Sequence, residues 1–260
     1  MTSAAHEPSA RPIALLTGVG RTIGIAAGIA TRLAADGWDI AAVYWNPYDT
    51  RVNGSHGDDA PEIQAELARL GARSLFVQGD LARPECPAEV FDEVERDLGP
   101  VTALVLSHAE SVNSGILSTT LESFDRHIAV NARASWLLIR EFARRFGGER
   151  RGGRIVALTS DAITDEVPYG ASKGALDRIV FAAARELAEL GITSNLVNPG
   201  PIDTGWMSDD VRRWVLDRTP AGRGGRPADT AALVAFLLSE DGQWVTGQLL
   251  KSDGGFSAPG

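Results

Sequence analysis

Ile13-Ala14-Leu15-Leu16-Thr17-Gly18-Val19-Gly20-Arg21-Thr22-Ile23-Gly24-Ile25-Ala26 is the stretch that decides the fold. Four apolar residues run without alternation and stop at Thr17-Gly18; a glycine-rich turn follows, and from Ile23 to Ala35 the spacing is helical with little charge. A short strand that is apolar on both faces and passes through a turn into a helix belongs to a sheet covered by helices on both sides. Outward from it the pattern repeats. Strand-like runs fall at Ile40–Tyr44, Ser74–Val77, Val101–Leu106, Arg154–Leu158, Ile192–Val197 and Gln248–Leu250. Helical patterns cover Pro61–Leu70, Ala88–Leu98, one long stretch Leu121–Phe146, Tyr169–Leu190 and Ala228–Leu238.

This alternation predicts an α/β fold, a doubly wound parallel sheet of the Rossmann type built from right-handed crossovers. No linker, composition break or repeat divides the chain, so residues 11–257 read as one domain behind a disordered tail at residues 1–10. The chain has 260 residues, 44% of them hydrophobic and 23% charged, enough to bury a self-sufficient core. The net charge of -9 argues against a nucleic-acid partner, which would need a basic face. No apolar run approaches the roughly 20 residues that cross a bilayer. The single cysteine, Cys86, allows no intramolecular disulfide and fits a reducing compartment. His6, His56, His108 and His127 show no metal-ligand spacing with Cys86, so no metal site is expected. These features predict a cytoplasmic protein with a small-molecule ligand and neither a nucleic-acid nor a membrane partner.

In such a sheet the ligand sits at the carboxyl ends of the strands. The turn after the first strand lets the backbone approach a pyrophosphate, and the helix behind it offers free N–H groups and a positive dipole end. Thr17, Gly18, Arg21, Ile23 and Gly24 are the candidates there, although a glycine turn also serves simply to reverse a chain. The second strand ends Tyr44-Trp45-Asn46, with no acid until Asp49. A carboxylate at that point would select NAD by binding its ribose. Its lack favours NADP(H), with NAD(H) as second choice. Arg21 and Arg51 are placed to meet a 2′-phosphate, or are ordinary surface charges. Tyr44, Trp45 and Tyr48 would stack on adenine or pack as a loop. Asp80, followed by Leu81, would accept from the adenine amino group or serve as a turn residue.

Tyr169 and Lys173 are four apart and share one face of a helix. An ammonium beside a phenol favours the phenolate, which suits a proton donor to a carbonyl or acceptor from an alcohol. A surface pair has the same spacing. Ser160 ends the preceding strand at the same sheet edge. Asn131 sits inside the long helical stretch, where Asn is unfavourable, which hints at a role beyond helix formation.

Thr17-Gly18…Gly24-Ile25-Ala26, Val130-Asn131, Ser160, Tyr169-Gly170-Ala171-Ser172-Lys173, Asn198-Pro199-Gly200-Pro201…Thr204 and Gly247-Gln248…Asp253-Gly254-Gly255 occur in that order. Over residues 11–257 the set resembles the short-chain dehydrogenase/reductase family. Arg126–Asn131 and Gly222–Phe256 resemble its 3-oxoacyl-[acyl-carrier-protein] reductases. The resemblance implies an NAD(P)-dependent oxidoreductase moving hydride between nicotinamide and a carbonyl or alcohol, with an acyl thioester among the candidate substrates. It implies Tyr169 as acid/base, Lys173 lowering its pKa and holding the nicotinamide ribose, Ser160 orienting the carbonyl, and Asn131 holding a proton-relay water. It implies Ser107, His108 and Ala109 along the cofactor, and Pro199, Gly200, Ile202 and Thr204 against the nicotinamide end. It also implies a homodimer or homotetramer assembled through the two long helices, with Phe181, Ile179 and Trp136 expected on exposed faces.

Four departures stand out. The glycine turn is two residues longer than usual, which puts Gly24 and Ala26 in the last two glycine places. Ser107-His108-Ala109-Glu110 replaces Asn-Asn-Ala-Gly; His108 reads as catalytic or, preferably, as a structural hydrogen bond. Ser160 and Tyr169 are closer in sequence than usual, which opens the substrate pocket. The aromatic run Tyr44–Tyr48 lies at the adenosine end. A lid at Asp203–Arg226, with Trp206, Met207 and Trp214, fits a bulky apolar ligand, or those residues pack internally. Two other readings are a nucleotide-binding regulatory protein and a dehydratase or epimerase on the same fold. Joint retention of Asn131, Ser160, Tyr169 and Lys173 weighs against the first.

Overall fold

The computed structural model describes residues 11–54, 58–147 and 152–258; the tail expected at residues 1–10 lies outside them. Seven strands form one parallel sheet in the order β3-β2-β1-β4-β5-β6-β7. They are β1 Ile13–Thr17, β2 Asp39–Tyr44, β3 Ser74–Gln78, β4 Val101–Leu106, β5 Arg154–Leu158, β6 Thr193–Asn198 and β7 Leu249–Lys251. The order reverses between β1 and β4, so the ends of β1, β2 and β4 diverge around a crevice. Register brings Thr17 beside Val43 on one side and Leu106 on the other.

Helices cover both faces. On one, α1 Ile25–Ala35, α3 Ala60–Arg69 and α9 Pro227–Leu238 bury Ile29, Leu33, Leu67 and Val234 against the strands. On the other, α4 Cys86–Asp97, α6 Ala134–Arg145 and α7 Val167–Glu186 bury Phe91, Leu138, Phe142 and Val180. Truncating either fully buried phenylalanine to alanine would cost about 3–5 kcal/mol, since the close-packed core collapses only partly into the hole.

The expected long helix Leu121–Phe146 is divided. α5 covers Leu121–His127, a π-helical turn covers Ile128–Arg133, and α6 follows. The widened turn is where Asn131 lies buried, so the residue that disfavours a regular helix sits where the helix is not regular. Two further helices fall where the sequence shows none: α2 Asn46–Asn53, opened by Pro47, and α8 Asp209–Arg218, capped by the Ser208 hydroxyl. α2 has no periodic apolar face, and α8 has a short one, Val211, Trp214 and Val215, set among charged residues. The helix expected to run to Leu190 ends at Glu186, with a 3₁₀ turn Ala188–Leu190 before the left-handed Gly191. Ile179 and Phe181, expected to be exposed, are partly buried against the core; Trp136 is exposed.

Candidate active site

The carboxyl ends of the strands enclose a cavity of about 720 Å³. Its floor is the glycine turn. Gly18 has φ +81°, and a Cβ there would meet the Ser107 and His108 backbone at 3.0 Å, so both conformation and space demand glycine. Gly18 and Val19 both donate to the Val43 carbonyl, at 2.8 and 3.1 Å. The extra residues close on themselves, with Gly24 N–H donating to Arg21 O at 2.9 Å. Gly24 then caps α1 with no side-chain hydrogen bond and no acid in the first turn. The first N–H groups of α1 are left to a ligand, and the dipole favours an anion. A glycine cradle before an uncapped helix fits the pyrophosphate of a dinucleotide.

The adenosine side differs from a simple loop. Trp45 caps α2, and α2 lies along the cavity so that Tyr48 and Asp49 join Tyr44 and Trp45 in lining it. Tyr44 packs edge-on to Phe76, ring centres 6.2 Å apart. Arg21 lines the cavity and donates to Thr204 O at 2.7 Å, with Asp49 4.0 Å away. The first acid after β2 thus stands beside the glycine turn. Arg51 does not line the cavity. Its guanidinium lies 5.6 Å from the Tyr48 ring and pairs with Glu110 at 2.6 Å. Asp80 is a turn residue, accepting from Ala82 N–H at 2.9 Å; it also lines the cavity with Leu81 and pairs with Arg126 at 3.4 Å.

Past β4, His108 is a strut. Its Nε2 lies 3.0 Å from Val130 O, which can only accept, so Nε2 carries the proton. Nδ1 then accepts from the Thr17 hydroxyl at 2.7 Å. Burial, and next the Lys173 charge, push its pKa down to about 3, so the ring is neutral at physiological pH. The structural reading of His108 holds; its ring nitrogens tie β1 to the π-helical turn. Asn131 is equally committed. It accepts from Glu110 N–H at 2.7 Å and donates to Glu110 O at 2.9 Å and to Ser172 Oγ at 2.8 Å.

Tyr169 and Lys173 project from the first turns of α7 into the same cavity, with Lys173 Nζ 5.6 Å from the Tyr169 ring centre. Ser160 acts on the Tyr169 hydroxyl and favours its phenolate. The expected lowering of the Tyr169 pKa by Lys173 is not seen in the chain alone. Burial, then Glu166 and Tyr48, raise it, and only Ser160 opposes. The physical reason is the place of the ammonium. Buried Lys173 donates to Leu158 O at 2.9 Å, and burial brings its own pKa down to about 8.

Pro199 and Thr204 line the cavity with the neighbouring Trp206, as do Ser107, His108, Ala109, Gly18 and Gly24. Thr17, Ile23, Asn131, Ser160, Gly200 and Ile202 do not. Thr17 is buried behind the turn, and Ile23 lies against Gly205. Gly200 (φ +64°) packs on Asp253, and Ile202 is buried and bridged to Gly225. Tyr48 lines the cavity as one of its two sequence readings had it, and sequence reading missed Asp49, Glu110 and Arg126 as cavity residues. Glu110 alone had a signal, as a Glu at the family's glycine place. Among the described residues no cluster of metal ligands is present, and no helix is long and apolar enough to cross a membrane.

A family model described as enoyl-(acyl carrier protein) reductase matches residues 18–257. The chain belongs to the short-chain dehydrogenase/reductase family. As a short-chain dehydrogenase/reductase it is an NAD(P)-dependent oxidoreductase. It is 36% identical over 253 residues to the uncharacterized oxidoreductase YjdA of Bacillus subtilis, covering 95% of this chain and 98% of that one. It is 35% identical to an NADPH-dependent aldehyde reductase-like chloroplastic protein of Arabidopsis thaliana, covering 96% and 95%. Among solved structures, a blue fluorescent protein from a metagenomic library in complex with NADPH superimposes with a TM-score of 0.83 at 33% identity, over 95% of this chain and 98% of that one.

Proposed function

We propose that this short-chain dehydrogenase/reductase is a cytoplasmic NADPH-dependent reductase of aldehydes or ketones borne on a bulky apolar body. The observation that carries the reading is the convergence of Tyr169 and Lys173 on the cavity floored by the glycine turn and the uncapped start of α1, with Ser160 acting on Tyr169 from the end of β5. The names of the Arabidopsis relative and of the NADPH complex support the cofactor. Arg21 supports it too, as a cation at the adenosine end of the cavity.

Exposed apolar side chains stand on the segments that leave the carboxyl ends of the strands, and one of them, Trp206, lines the cavity. Ile116, Leu117 and Leu121 follow β4, Ile163 follows β5, and Trp206 follows β6; all are exposed, Leu117 completely. The first two segments are joined beside Tyr169, where Val167 N–H donates to Ser114 O at 3.0 Å. Exposed apolar side chains on the segments that leave this edge of the sheet suit an apolar ligand that covers them.

The nicotinamide, when bound, supplies the hydride. The chain supplies position and a proton. The α1 N-terminus binds the pyrophosphate. Ser160 orients the carbonyl oxygen toward the Tyr169 hydroxyl, and Tyr169, neutral because burial raises its pKa, gives its proton to that oxygen. Lys173, protonated below about pH 8, then favours the phenolate left behind. The chain works as a homodimer or homotetramer.

A panel of short and bulky aldehydes, aromatic ketones and 3-oxoacyl thioesters, with NADPH oxidation as the readout, tests this. Faster turnover of bulky apolar carbonyls is expected. A preference for short polar aldehydes or carrier-bound thioesters overturns the substrate assignment, and no turnover of any carbonyl overturns the reductase.

A further inference from the structure

One turn beyond Lys173, on the same face of α7, lies a second acid, Asp177. Its Oδ1 accepts a hydrogen bond from Thr159 Oγ1 at 2.5 Å. Thr159 is buried, and its own N–H donates to Val197 O at 2.9 Å. The residue is therefore pinned to β6 by its backbone and to α7 by its hydroxyl. Its neighbours are the two functional seats at the end of β5. Leu158 gives the carbonyl that holds Lys173 Nζ at 2.9 Å, and Ser160 acts on the Tyr169 hydroxyl. A closed ring results, running from Lys173 through Leu158 and Thr159 to Asp177 and back along one turn of α7.

We infer that Asp177 is a positioning residue of the reductase. Through the Thr159 hydroxyl it fixes the end of β5, and with it the places of Ser160 and Lys173, while its charge keeps Lys173 an ammonium. Asp177 does not line the cavity and touches no reacting atom; Thr159 lines it. The inference rests on the roles proposed above for Tyr169, Lys173 and Ser160.

The charge balance around Lys173 is uneven. Burial acts against its proton, and the Asp177 carboxylate acts for it. From the other elements packed there, β4 presents His108, which is neutral, and the π-helical turn presents Asn131, which carries no charge. From α7 itself comes the Tyr169 ring, with Glu166 acting on Tyr169; Arg178 acts on Asp177. Asp177 is thus the anion that offsets the burial of Lys173.

The two halves of the role separate by substitution. Asp177→Asn keeps an oxygen to accept from Thr159 and removes the charge. Thr159→Val keeps the charge and removes the bond, and Thr159→Ser restores the bond. In NADPH-driven reduction, Asp177→Asn should move the alkaline limb of the kcat/KM pH profile down by about half a unit or more, because Lys173 loses its proton earlier. The pH profile of NADPH binding, read by tryptophan fluorescence, should move with it. Thr159→Val should lower kcat about tenfold with little change in the KM for NADPH, because the end of β5 loosens, and Thr159→Ser should recover most of that loss. A wild-type alkaline limb in Asp177→Asn together with wild-type kcat in Thr159→Val overturns the inference. Tyr169→Phe, measured beside them, separates the two failures. If it is inactive while Asp177→Asn and Thr159→Val behave as wild type, the positioning role alone is wrong; if it is active, the catalytic reading beneath is wrong.

Discussion

Arg51 reaches from α2 to Glu110, past the end of β4, with Nη2 2.6 Å from Oε1. β2 and β4 lie on opposite sides of β1, so this ion pair closes α2 over the end of β1 and the glycine turn. Glu110 is 2% exposed, and Arg126 completes its pairing at 3.1 Å. A buried carboxylate held by two guanidinium groups tolerates loss of the exposed one better than loss of the sheltered one. Arg51→Ala should cost about 1 kcal/mol and Arg126→Ala about 2 kcal/mol or more of unfolding free energy. Urea denaturation of the two variants checks the order; equal or reversed losses would show that Glu110 does not depend on Arg126.

Tyr169→Phe removes one hydroxyl and keeps the ring. Turnover should fall on the order of 10²–10⁴-fold while NADPH affinity stays near wild type. Lys173→Ala should lower both, because the ammonium would serve the phenolate and the cofactor ribose. Parallel measurement of kcat and of NADPH binding by tryptophan quenching distinguishes the two patterns, and a Tyr169→Phe enzyme retaining more than about a tenth of turnover is incompatible with a general-acid role.

Among the described residues Arg21 and Arg126 line this side of the cavity; Arg126 is held by Glu110 at 3.1 Å and Asp80 at 3.4 Å, whereas Arg21 meets Asp49 at 4.0 Å and is the more open to a phosphate. A charge-assisted contact to a 2′-phosphate is worth more than a neutral one. Arg21→Ala should weaken NADPH binding about tenfold more than NADH binding, a difference of about 1.4 kcal/mol. Titration of both nucleotides decides it; an unchanged NADPH-to-NADH ratio would remove Arg21 from cofactor selection.

His108 makes a pH prediction with a definite sign. Its folded pKa of about 3 lies below the ordinary 6.5, so the folded state binds fewer protons than the unfolded one. The stability held by the neutral ring is complete above pH 6.5 and is lost as pH falls toward 3. The loss should approach about 1.4 kcal/mol per pH unit below the unfolded pKa. His108→Asn should flatten the acid side of the stability profile. Urea midpoints at pH 7.5 and about 5.5 test this, and parallel profiles for the two proteins would contradict it.

The strands and most helices were legible in the sequence because their cause is local. A run such as Ala103-Leu104-Val105-Leu106 is apolar on every residue only when both faces are covered, and a turn such as Thr17-Gly18 needs a conformation that glycine provides. Tyr169, Lys173 and Ser160 were legible for the same reason, since helix spacing and strand ends place them without knowledge of the rest. The polar helices α2 and α8 were not, because α2 shows no apolar period, α8 shows only Val211, Trp214 and Val215 among charged residues, and the place of α2 is set by contacts distant in sequence, as Arg51 with Glu110.

The sequence by itself determined the sheet, the glycine cradle and the helix face shared by Tyr169 and Lys173, since periodicity and residue type act within a few residues. Tertiary structure alone decided the electrostatics. It made His108 a neutral strut, put Asp49 beside the glycine turn, turned Asn131 toward Glu110 and Ser172, and raised the Tyr169 pKa while lowering that of Lys173. Each of these follows from burial and from partners brought together by the crossovers, and a pKa or a hydrogen-bond partner is a property of that enclosure, not of the residue.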